Sequence, residues 1–336
     1  MPLAVEALRG RHVAITGATG FLGRRLAAAL VSVDAHVIGF GRQPQPDVQG
    51  MRYERWDIVS GPLPGSPHKV DAVAHCAGMV TDWGSTAEFF RCHVEGTRNV
   101  LASFPDCPIV HVSTASVYDA FAPKRMVRED AAPASRFLNA YAESKAAAEA
   151  IVRERDAHII LRPHAIYGPG DRVLLPRLLD ALVVGHLIAV GDGRNMISLT
   201  HVDNLVDALM LALAASITGS ARGVFNIADA RPLRLDEVLN AVLTATGHRP
   251  RIHYLPRSAA WFIGTVLETL WQALGRRKAP RLTRYRVAQV ADEYTLDCGK
   301  AAAVLGYAPT RNLSDYLAAA YGWSAPVAAR RTSSTA

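Results

Sequence analysis

A glycine-rich segment directly after an apolar run constrains the fold of this chain more than any other feature. Residues 16–23 read Thr-Gly-Ala-Thr-Gly-Phe-Leu-Gly and follow the apolar residues 13–15. Gly17 permits a tight turn out of a strand, Gly20 lets the backbone approach a pyrophosphate, and Gly23 allows close helix–strand packing. The residues that follow predict a helix, whose N-terminal N–H groups favour phosphate charge. The segment therefore predicts a dinucleotide site at the end of the first strand.

The rest of the chain predicts an α/β fold: a doubly wound parallel sheet (Rossmann) with a smaller, mainly helical C-terminal substrate lobe. Predicted strands and helices alternate as far as Ile166, a pattern typical of a parallel sheet. Residues 174–184 predict a helix, residues 198–213 return a strand-turn-helix to the sheet, and the chain after Arg234 is mainly helical. We predict a dinucleotide-binding domain of residues 1–166 joined by 197–229, a substrate lobe of 167–196 and 230–323, and a disordered tail of 324–336.

Composition and charge narrow the class of protein. The chain has 336 residues, half of them hydrophobic, which is ample for a large core. The formal net charge of +7 raises the possibility of nucleic-acid binding. The basic residues are scattered, however, and the runs at 276–278 and 330–331 are short and lack interleaved aromatic residues. We therefore predict no nucleic-acid partner.

The four cysteines indicate the compartment. Cys76, Cys92, Cys107 and Cys298 show no paired or metal-like spacing, so we predict no metal site and a reducing, cytoplasmic location. The first residues lack a basic region followed by an apolar core, so no signal peptide is predicted. No stretch reaches membrane-spanning length without a charge.

A tyrosine and a lysine four residues apart form a candidate proton-transfer pair. Tyr141 and Lys145 fall on one face of a predicted helix, one turn apart. An ammonium beside a phenol favours the phenolate, so the tyrosine can exchange a proton near neutral pH. Alone, the pair is as well explained by an ordinary surface helix. The hydroxyl-bearing segment upstream, with Ser113, Thr114 and Ser116 after a strand-like run, favours the catalytic interpretation.

The ordered motifs resemble those of the extended short-chain dehydrogenases/reductases, a superfamily that also contains nucleotide-sugar epimerases and dehydratases. The resemblance runs from about Gly10 to Trp323, and its motifs are residues 16–23, 56–58, 75–78, 94–100, 141–145, 161–163, 166–171 and 201–204. One position departs from the pattern, because His93 stands where the superfamily usually has asparagine. The resemblance implies hydride transfer with a nicotinamide cofactor.

The resemblance also assigns roles to single residues. Tyr141 is the expected general acid in reduction and general base in oxidation. Lys145 is expected to lower the pKa of Tyr141 and hold the ribose, and Thr114 to hydrogen-bond the reacting oxygen, with Ser113 and Ser116 as neighbours able to share that task. The cofactor-binding set that it implies is Gly17, Thr19, Gly20, Phe21, Leu22, Gly23, Arg42, Asp57, Ile58, Cys76, Ala77, Gly78, Val112, Tyr141, Lys145, Pro163 and Ile166.

The end of the second predicted strand favours NADP(H) over NAD(H). In this fold an acidic residue there binds the ribose hydroxyls of NAD, whereas a nearby arginine accommodates the 2′-phosphate of NADP. Here Gly41 stands where the acid is expected, and Arg42 follows it. An arginine binds phosphate through several donors, and no carboxylate repels it. The alternative is that Arg42 is a solvated loop residue.

Two positions argue against a nucleotide-sugar substrate. Ala165 stands where the epimerases have an asparagine that contacts the diphosphate, and Ile197 stands where they often have an arginine. The chain resembles instead the 3β-hydroxysteroid dehydrogenase-like reductases, including bacterial 2-alkyl-3-oxoalkanoate reductases, at residues 83–84, 162–171, 175–178 and 280–309. We therefore predict a hydrophobic small-molecule substrate, bound by Met79, Trp83, Ser116, His164, Tyr167, Leu174, Met196 and Trp261.

Residues 258–274 form a predicted helix with apolar residues at helical spacing. Either this helix packs on the substrate lobe, or it is a lid or membrane-surface helix assisted by the basic residues at 276–278. A peripheral membrane contact therefore stays among the predicted partners, together with a homodimeric or monomeric state.

The predicted function is NADP(H)-dependent reduction of a ketone, or oxidation of the secondary alcohol, on a hydrophobic 3-oxoacyl or sterol-like substrate. The first alternative is a nucleotide-sugar epimerase or dehydratase with tightly held NAD, against which Arg42, Ala165 and Ile197 argue. The second is a non-catalytic NADP sensor, which the fold permits. A sensor needs only the glycine loop, so the presence of Thr114, Tyr141 and Lys145 argues for an enzyme.

Overall fold

A seven-stranded parallel sheet forms the centre of the protein in a computed structural model, which describes residues 6–43, 48–65, 69–132, 134–171, 174–183 and 185–323. The predicted tail of 324–336 lies outside these residues. In chain order the strands are β1 His12–Thr16, β2 His36–Gly41, β3 Arg52–Arg55, β4 Ala72–His75, β5 Ile109–Val112, β6 Lys124–Val127, β7 His158–Pro163, β8 Ile166–Tyr167, β9 Leu182–Val183, β10 His186–Val190, β11 Met196–Ile197, β12 Thr200–His201, β13 Gly223–Ile227, β14 Leu233–Arg234, β15 Arg251–Leu255 and β16 Tyr294–Leu296.

The helices connect these strands and cover both faces of the sheet. They are α1 Phe21–Val31, α2 Thr86–Phe90, α3 Gly96–Ser103, α4 Ala140–Val152, α5 Leu174–Asp180, α6 Val202–Thr218, α7 Leu235–Ala245, α8 Arg257–Ala273, α9 Arg284–Val290, α10 Gly299–Leu305 and α11 Leu313–Tyr321. A π-helical turn, Arg91–Glu95, joins α2 to α3. No helix among the described residues is long and apolar enough to cross a membrane.

The order of the large sheet is β13-β7-β5-β4-β1-β2-β3, with every neighbouring pair parallel. The apolar side chains of β1, β4, β5 and β7 are buried, as expected for strands covered on both faces. Helices α1 and α6 pack on one face, and α3 and α4 supply the core of the other. The strand order reverses between β1 and β4, and ligands bind at such a switch point, at the carboxyl ends of the strands.

Besides the large sheet, the described residues form a short pair, β12-β8, and two smaller sheets of three and four strands. One has the order β15-β10-β9 and the other β14-β11-β16-β6. The second is built from distant segments, because the backbone N–H of Met126 donates to the Thr295 hydroxyl, 169 residues away. A separate hydrophobic cluster that includes Leu239, Leu296 and Leu317 packs under these strands. The side-chain amide of Asn204, in α6, donates to the carbonyl oxygen of Arg311. This hydrogen bond holds the last segment of the chain against the helix that packs on the large sheet.

The parallel sheet confirms the predicted doubly wound fold. The predicted helix at 174–184 is shorter, since α5 ends at Asp180 and β9 follows, while residue 184 is not described. The chain after Arg234 is mainly helical, but it also contains β15 and β16, which the pattern did not predict. Both strands pair with partners far away in sequence, which local patterning does not reveal. The domain boundaries stay a prediction.

Candidate active site

The glycine-rich turn after β1 has the geometry of a phosphate cradle. Gly17 has a φ of +72°, and a Cβ atom there would lie 2.8 Å from the backbone of Ala77. A Cβ atom on Gly23 would lie 2.2 Å from the carbonyl oxygen of Gly17, so only glycine lets α1 approach the turn. Gly20 is the N-cap of α1 without a side-chain cap, which leaves N–H groups at the helix start for an anion. The phosphate groups of a dinucleotide fit this site.

The remaining predicted cofactor residues surround the same edge. Thr19 is next to Gly41, because a Cβ atom on Gly41 would lie 3.1 Å from both the Thr19 and Tyr53 hydroxyls. Position 41 therefore presents no side chain at the end of β2, and Arg42 after it is exposed. The other members lie at the start of α1 or where strands end. Phe21 and Leu22 begin α1, and Asp57 caps the turn that contains Ile58. Residues 76–78 follow β4, Val112 ends β5, Pro163 ends β7 and Ile166 begins β8.

Two hydroxyls and two phenols meet at the end of β5. The Thr114 hydroxyl donates to Ser116 Oγ at 3.2 Å, and Ser116 Oγ lies 2.7 Å from the Tyr285 hydroxyl. The ring of Tyr285 packs edge-on against that of Tyr141, with centroids 6.4 Å apart. Ser113 is not part of this cluster, since its hydroxyl donates to the buried Glu149 at 2.5 Å. The structure therefore brings Thr114 and Ser116 together beside Tyr285 and directs Ser113 to Glu149, while the role of these hydroxyls toward a reacting oxygen stays a prediction.

The surroundings of Tyr141 raise the pKa of its phenol. Burial raises the pKa of its phenol, a hydrogen bond with Thr114 and the charge of Arg177 lower it, and Asp82 raises it. The net pKa is above the ordinary value for tyrosine. Lys145 is not among the groups that shift this pKa, and its ammonium donates to the carbonyl oxygen of Val112 at 2.7 Å.

Lys145 is a buried cation surrounded by neutral histidines. Its Nζ lies 3.4 Å from His111 Nε2, and burial lowers its pKa to about 8, while Glu149 raises it. Burial and the charge of Lys145 together lower the pKa of His75 to about 3 and that of His111 well below its ordinary value. One ammonium among neutral imidazoles avoids like-charge repulsion.

His93, the departure from the superfamily pattern, links two parts of the site. The backbone N–H of Met79 donates to His93 Nε2 at 3.0 Å, so Nε2 is unprotonated and Nδ1 carries the proton. Nδ1 then donates to Ser144 Oγ at 2.8 Å, and Ser144 Oγ donates to the Tyr141 carbonyl oxygen. The imidazole therefore ties the segment after β4 to the helix that carries Tyr141 and Lys145. Burial lowers its pKa to about 3, as a neutral ring requires.

Asp82 connects its own segment to three others at the side of the site. Its carboxylate accepts hydrogen bonds from Arg286 Nε at 2.7 Å and from Arg177 Nη2 at 3.0 Å. Its carbonyl oxygen accepts from Asn139, which is the N-cap of the Tyr141 helix. Burial raises the pKa of Asp82, but the hydrogen bond and charge of Arg286 and the charge of Arg177 outweigh it, so the net pKa is lowered.

The predicted substrate residues divide into two groups. His164 is buried and stacks on Tyr294 with centroids 3.8 Å apart, and Tyr167 is fully buried with its hydroxyl donating to Asp229. In this structure both side chains pack in the core, and their contact with a substrate stays a prediction. Met79, Trp83, Leu174, Met196 and Trp261 are half-buried, and Ser116 lies beside Thr114.

Sequence reasoning missed Tyr285 and Asp82. Tyr285 lies in a segment that contributed to the resemblance, but its partner Ser116 is 169 residues away. Asp82 is one residue before Trp83, and its partner Arg286 is 204 residues away. In the sequence, these contacts were indicated only by an acid next to Trp83 and by several arginines in the segment 280–309 that contributed to the resemblance.

Residues 13–228, more than half of the chain, match the profile described as the NAD dependent epimerase/dehydratase family. The chain belongs to this family. Within the family it is an extended short-chain dehydrogenase/reductase, as predicted. Proteins named 2-alkyl-3-oxoalkanoate reductase are similar: one from Shewanella oneidensis is 31% identical and covers 90% of this chain and 84% of its own length. Another, from Stenotrophomonas maltophilia, is 33% identical with coverages of 91% and 97%.

A solved family structure has the same fold. MoeE5 in complex with UDP-glucuronic acid and NAD superposes with a TM-score of 0.69 at 27% identity, covering 91% of this chain and 96% of its own. The relatives named as reductases support an oxidoreductase.

Proposed function

We propose that this protein is an NADP(H)-dependent reductase that converts a ketone on a hydrophobic substrate into the secondary alcohol, or catalyses the reverse oxidation. The observation that carries the proposal is the arrangement of Thr114 and Tyr141 beside the phosphate cradle. The nicotinamide cofactor supplies the hydride when it is bound. The chain's own residues orient the carbonyl and supply the proton.

The protonated Tyr141 suits the reductive direction. Its raised pKa keeps the proton on the phenol until a developing alkoxide accepts it. The Thr114 and Ser116 hydroxyls supply hydrogen bonds to that oxygen. Lys145 lies one helical turn from Tyr141, and its ammonium would hold the cofactor ribose.

Two observations support NADP(H) over NAD(H). Gly41, at the end of β2, presents no carboxylate that would bind ribose hydroxyls and repel a phosphate. The guanidinium of Arg42, which is exposed beside the cradle, is available for a 2′-phosphate.

A hydrophobic substrate is supported by the positions that diphosphate-binding epimerases use. At the position where the epimerases often have an arginine, Ile197 is 6% exposed and packs in the core. This position therefore offers a diphosphate no cation. Ala165 has a φ of +45°, in the left-handed region where asparagine is tolerated better than alanine. Position 165 therefore has a backbone conformation that suits asparagine, but its alanine lacks the side-chain amide that would contact a diphosphate. The relatives named 2-alkyl-3-oxoalkanoate reductase suggest a 3-oxoacyl compound.

The second candidate function is nucleotide-sugar epimerisation, favoured by the likeness to MoeE5 with UDP-glucuronic acid and NAD. Such an enzyme recycles its cofactor. It predicts a bound NAD in the purified protein and no net oxidation of added NADPH.

The experiment is a substrate panel followed at the nicotinamide absorbance with NADPH and NADH. Each buried methylene contributes about 0.8 kcal/mol, so kcat/KM should rise roughly threefold to fourfold per added carbon until the cavity is filled. UDP-sugars should neither react nor compete. A flat chain-length profile together with competition by UDP would overturn the hydrophobic-substrate proposal and favour the epimerase.

A further inference from the structure

Helix α8 packs against the protein with its small and acidic residues. Ala260, Gly264 and Glu268 are its buried residues, and their four-residue spacing places them on one face. A Cβ atom on Gly264 would lie 3.1 Å from the backbone nitrogen of Arg284, so α8 touches the start of α9 at backbone distance. Among the large apolar side chains of α8, Trp261 packs on the small cluster that contains Val190 and Val287, whereas several others point away from it.

The rotation of α8 about its axis is fixed by a buried carboxylate. Glu268 accepts hydrogen bonds from the Arg284 backbone N–H at 2.6 Å and from Arg284 Nε at 2.7 Å. Turning the apolar residues inward would break both bonds, and it would also move bulky side chains into the space that Gly264 leaves. A buried charge without partners is costly, so the helix stays in this orientation.

The outward face of α8 is an apolar stripe. Phe262 is 70% exposed, Val266 49% and Leu270 47%, at four-residue spacing, with Ile263 and Leu274 beside them. A helix rises 1.5 Å per residue, so the stripe is about 18 Å long. Contiguous exposed apolar surface of this kind marks an interaction site.

The segment that carries the apolar stripe is basic, although three of its cations are paired: Arg257 with Asp292, Arg284 with Glu268 and Arg286 with Asp82. Residues 257–286 contain seven arginines and lysines and one acid, the buried Glu268. Arg276, Arg277, Lys278 and Arg281 are exposed just beyond the end of α8. An apolar helix face next to several cations is typical of helices that lie in the headgroup region of anionic membranes.

Charge selects the occupant of the stripe. A second copy packed on this face about a two-fold axis would bring the same cations together, whereas acidic headgroups would neutralise them. The inward face is already packed on α9, so only one face is available, as for a helix lying flat on a surface. We propose that the stripe and its basic neighbours bind the surface of an anionic phospholipid bilayer.

The docking face adjoins the candidate active site. The Trp83 indole donates to the carbonyl oxygen of Arg276 at 3.0 Å, and Trp83 follows Asp82, which binds Arg286 of α9. A bilayer against α8 would therefore lie next to the walls of the substrate site. Binding to lipid does not depend on the proposed chemistry.

The test is flotation of the whole protein with vesicles, without turnover. We expect binding to vesicles of equal parts phosphatidylcholine and phosphatidylglycerol, weak binding to phosphatidylcholine alone, and release by salt. The triple variant Phe262→Ser, Val266→Ser, Leu270→Ser should lose at least tenfold in partition coefficient. Arg276→Gln, Arg277→Gln and Lys278→Gln should each cost about fivefold.

The matched control is the double variant Ile188→Ser, Val304→Ser, which removes apolar side chains that are equally exposed elsewhere. It should bind vesicles like the wild type. Absence of wild-type binding to the anionic vesicles would overturn the proposal. So would a wild-type dimer that the triple variant converts to monomers without a change in vesicle binding, because a second copy would then cover the stripe.

Discussion

The phenol of Tyr141 is enclosed by aromatic rings. The centroids of His93, Phe89 and Tyr285 lie 5.7, 6.1 and 6.4 Å from its own, each with the edge of one ring toward the other. Tyr141 itself is half-buried between these rings, and its hydroxyl makes a hydrogen bond with Thr114. Positioning at this precision is what lets one side chain transfer a proton efficiently.

Replacing Tyr141 with phenylalanine should lower kcat by about 10²–10⁴-fold, because general acid–base catalysis contributes about that much. The ring packing is kept, so NADPH affinity, measured by fluorescence titration, should stay near the wild-type value. Thr114→Val offers a comparison that keeps the phenol and removes its partner. Near-normal turnover by the phenylalanine variant would remove Tyr141 from the mechanism.

Arg42→Ala should weaken NADPH binding far more than NADH binding. A hydrogen bond to a charged group is worth about 1.5–3 kcal/mol, or roughly tenfold or more in affinity. Titration of both cofactors against the wild type and the variant measures the difference. Arg222→Ala is the control, because this exposed arginine precedes β13 and lies at the opposite edge of the parallel sheet. Equal losses for both cofactors would show that Arg42 does not recognise the 2′-phosphate.

His93→Ala should lower both stability and kcat. It leaves the Met79 N–H and the Ser144 hydroxyl without their shared partner, at a cost of about 1–3 kcal/mol. His93→Asn, which restores a donor and an acceptor, should recover part of kcat. Urea unfolding and steady-state kinetics separate the two effects. A wild-type kcat in a destabilised alanine variant would leave His93 a purely structural residue.

The pattern of residues predicted the cradle but only part of the rest. Gly17, Gly20 and Gly23 act within one local turn, so their spacing alone indicates their roles. Tyr285 and Ser113 could not be assigned from the sequence, because the bonds that place one in the site and remove the other join distant segments.

At the scale of elements, the site is a junction between the large sheet and the segments that follow it. Asp82 binds Arg177 of α5 and Arg286 of α9, and it also touches the N-cap of α4. Strand and helix periodicity predicted most of the elements themselves. It could not predict this junction, since its charges are far apart in sequence.

Asp82→Asn should destabilise the protein by about 1.5–3 kcal/mol, the value for hydrogen bonds to charged groups. It should also reduce kcat/KM, because α4 and α9 lose their common anchor. Asp292→Asn removes a more exposed partner of Arg257 and should cost less than about 1 kcal/mol. Urea unfolding of the three proteins compares them. Equal effects of the two variants would show that the junction adds nothing.

For the whole molecule, buried histidines set the response to acid. Burial lowers the pKa of His75, His93 and His164 to about 3 and that of His111 well below its ordinary value. An unfolded chain binds protons at these positions below about pH 6.5, and the folded chain does not. Stability is therefore present at neutral pH and lost as pH falls below that value.

The free energy of unfolding should fall between pH 6.5 and 5, with a slope that approaches about 1.4 kcal/mol per pH unit for each of the four histidines at the lower end. Urea titrations across this range measure the slope. His164→Phe keeps the stacking on Tyr294 and should make the slope shallower by one such increment. A stability that does not change over the range would contradict neutral burial.

The small sheet that joins β6 to β16 has a consequence for synthesis on the ribosome. Met126 and Thr295 are 169 residues apart, and chains grow at about 5–20 residues per second. Strand β6 is therefore without its partner β16 for roughly ten to thirty seconds. By the time β16 is made, every strand of the large sheet has already been made. A nascent chain therefore completes the strands of the large sheet first and the pair of β6 with β16 last. Until then the edge of β6 is unpaired and is left for chaperones to protect.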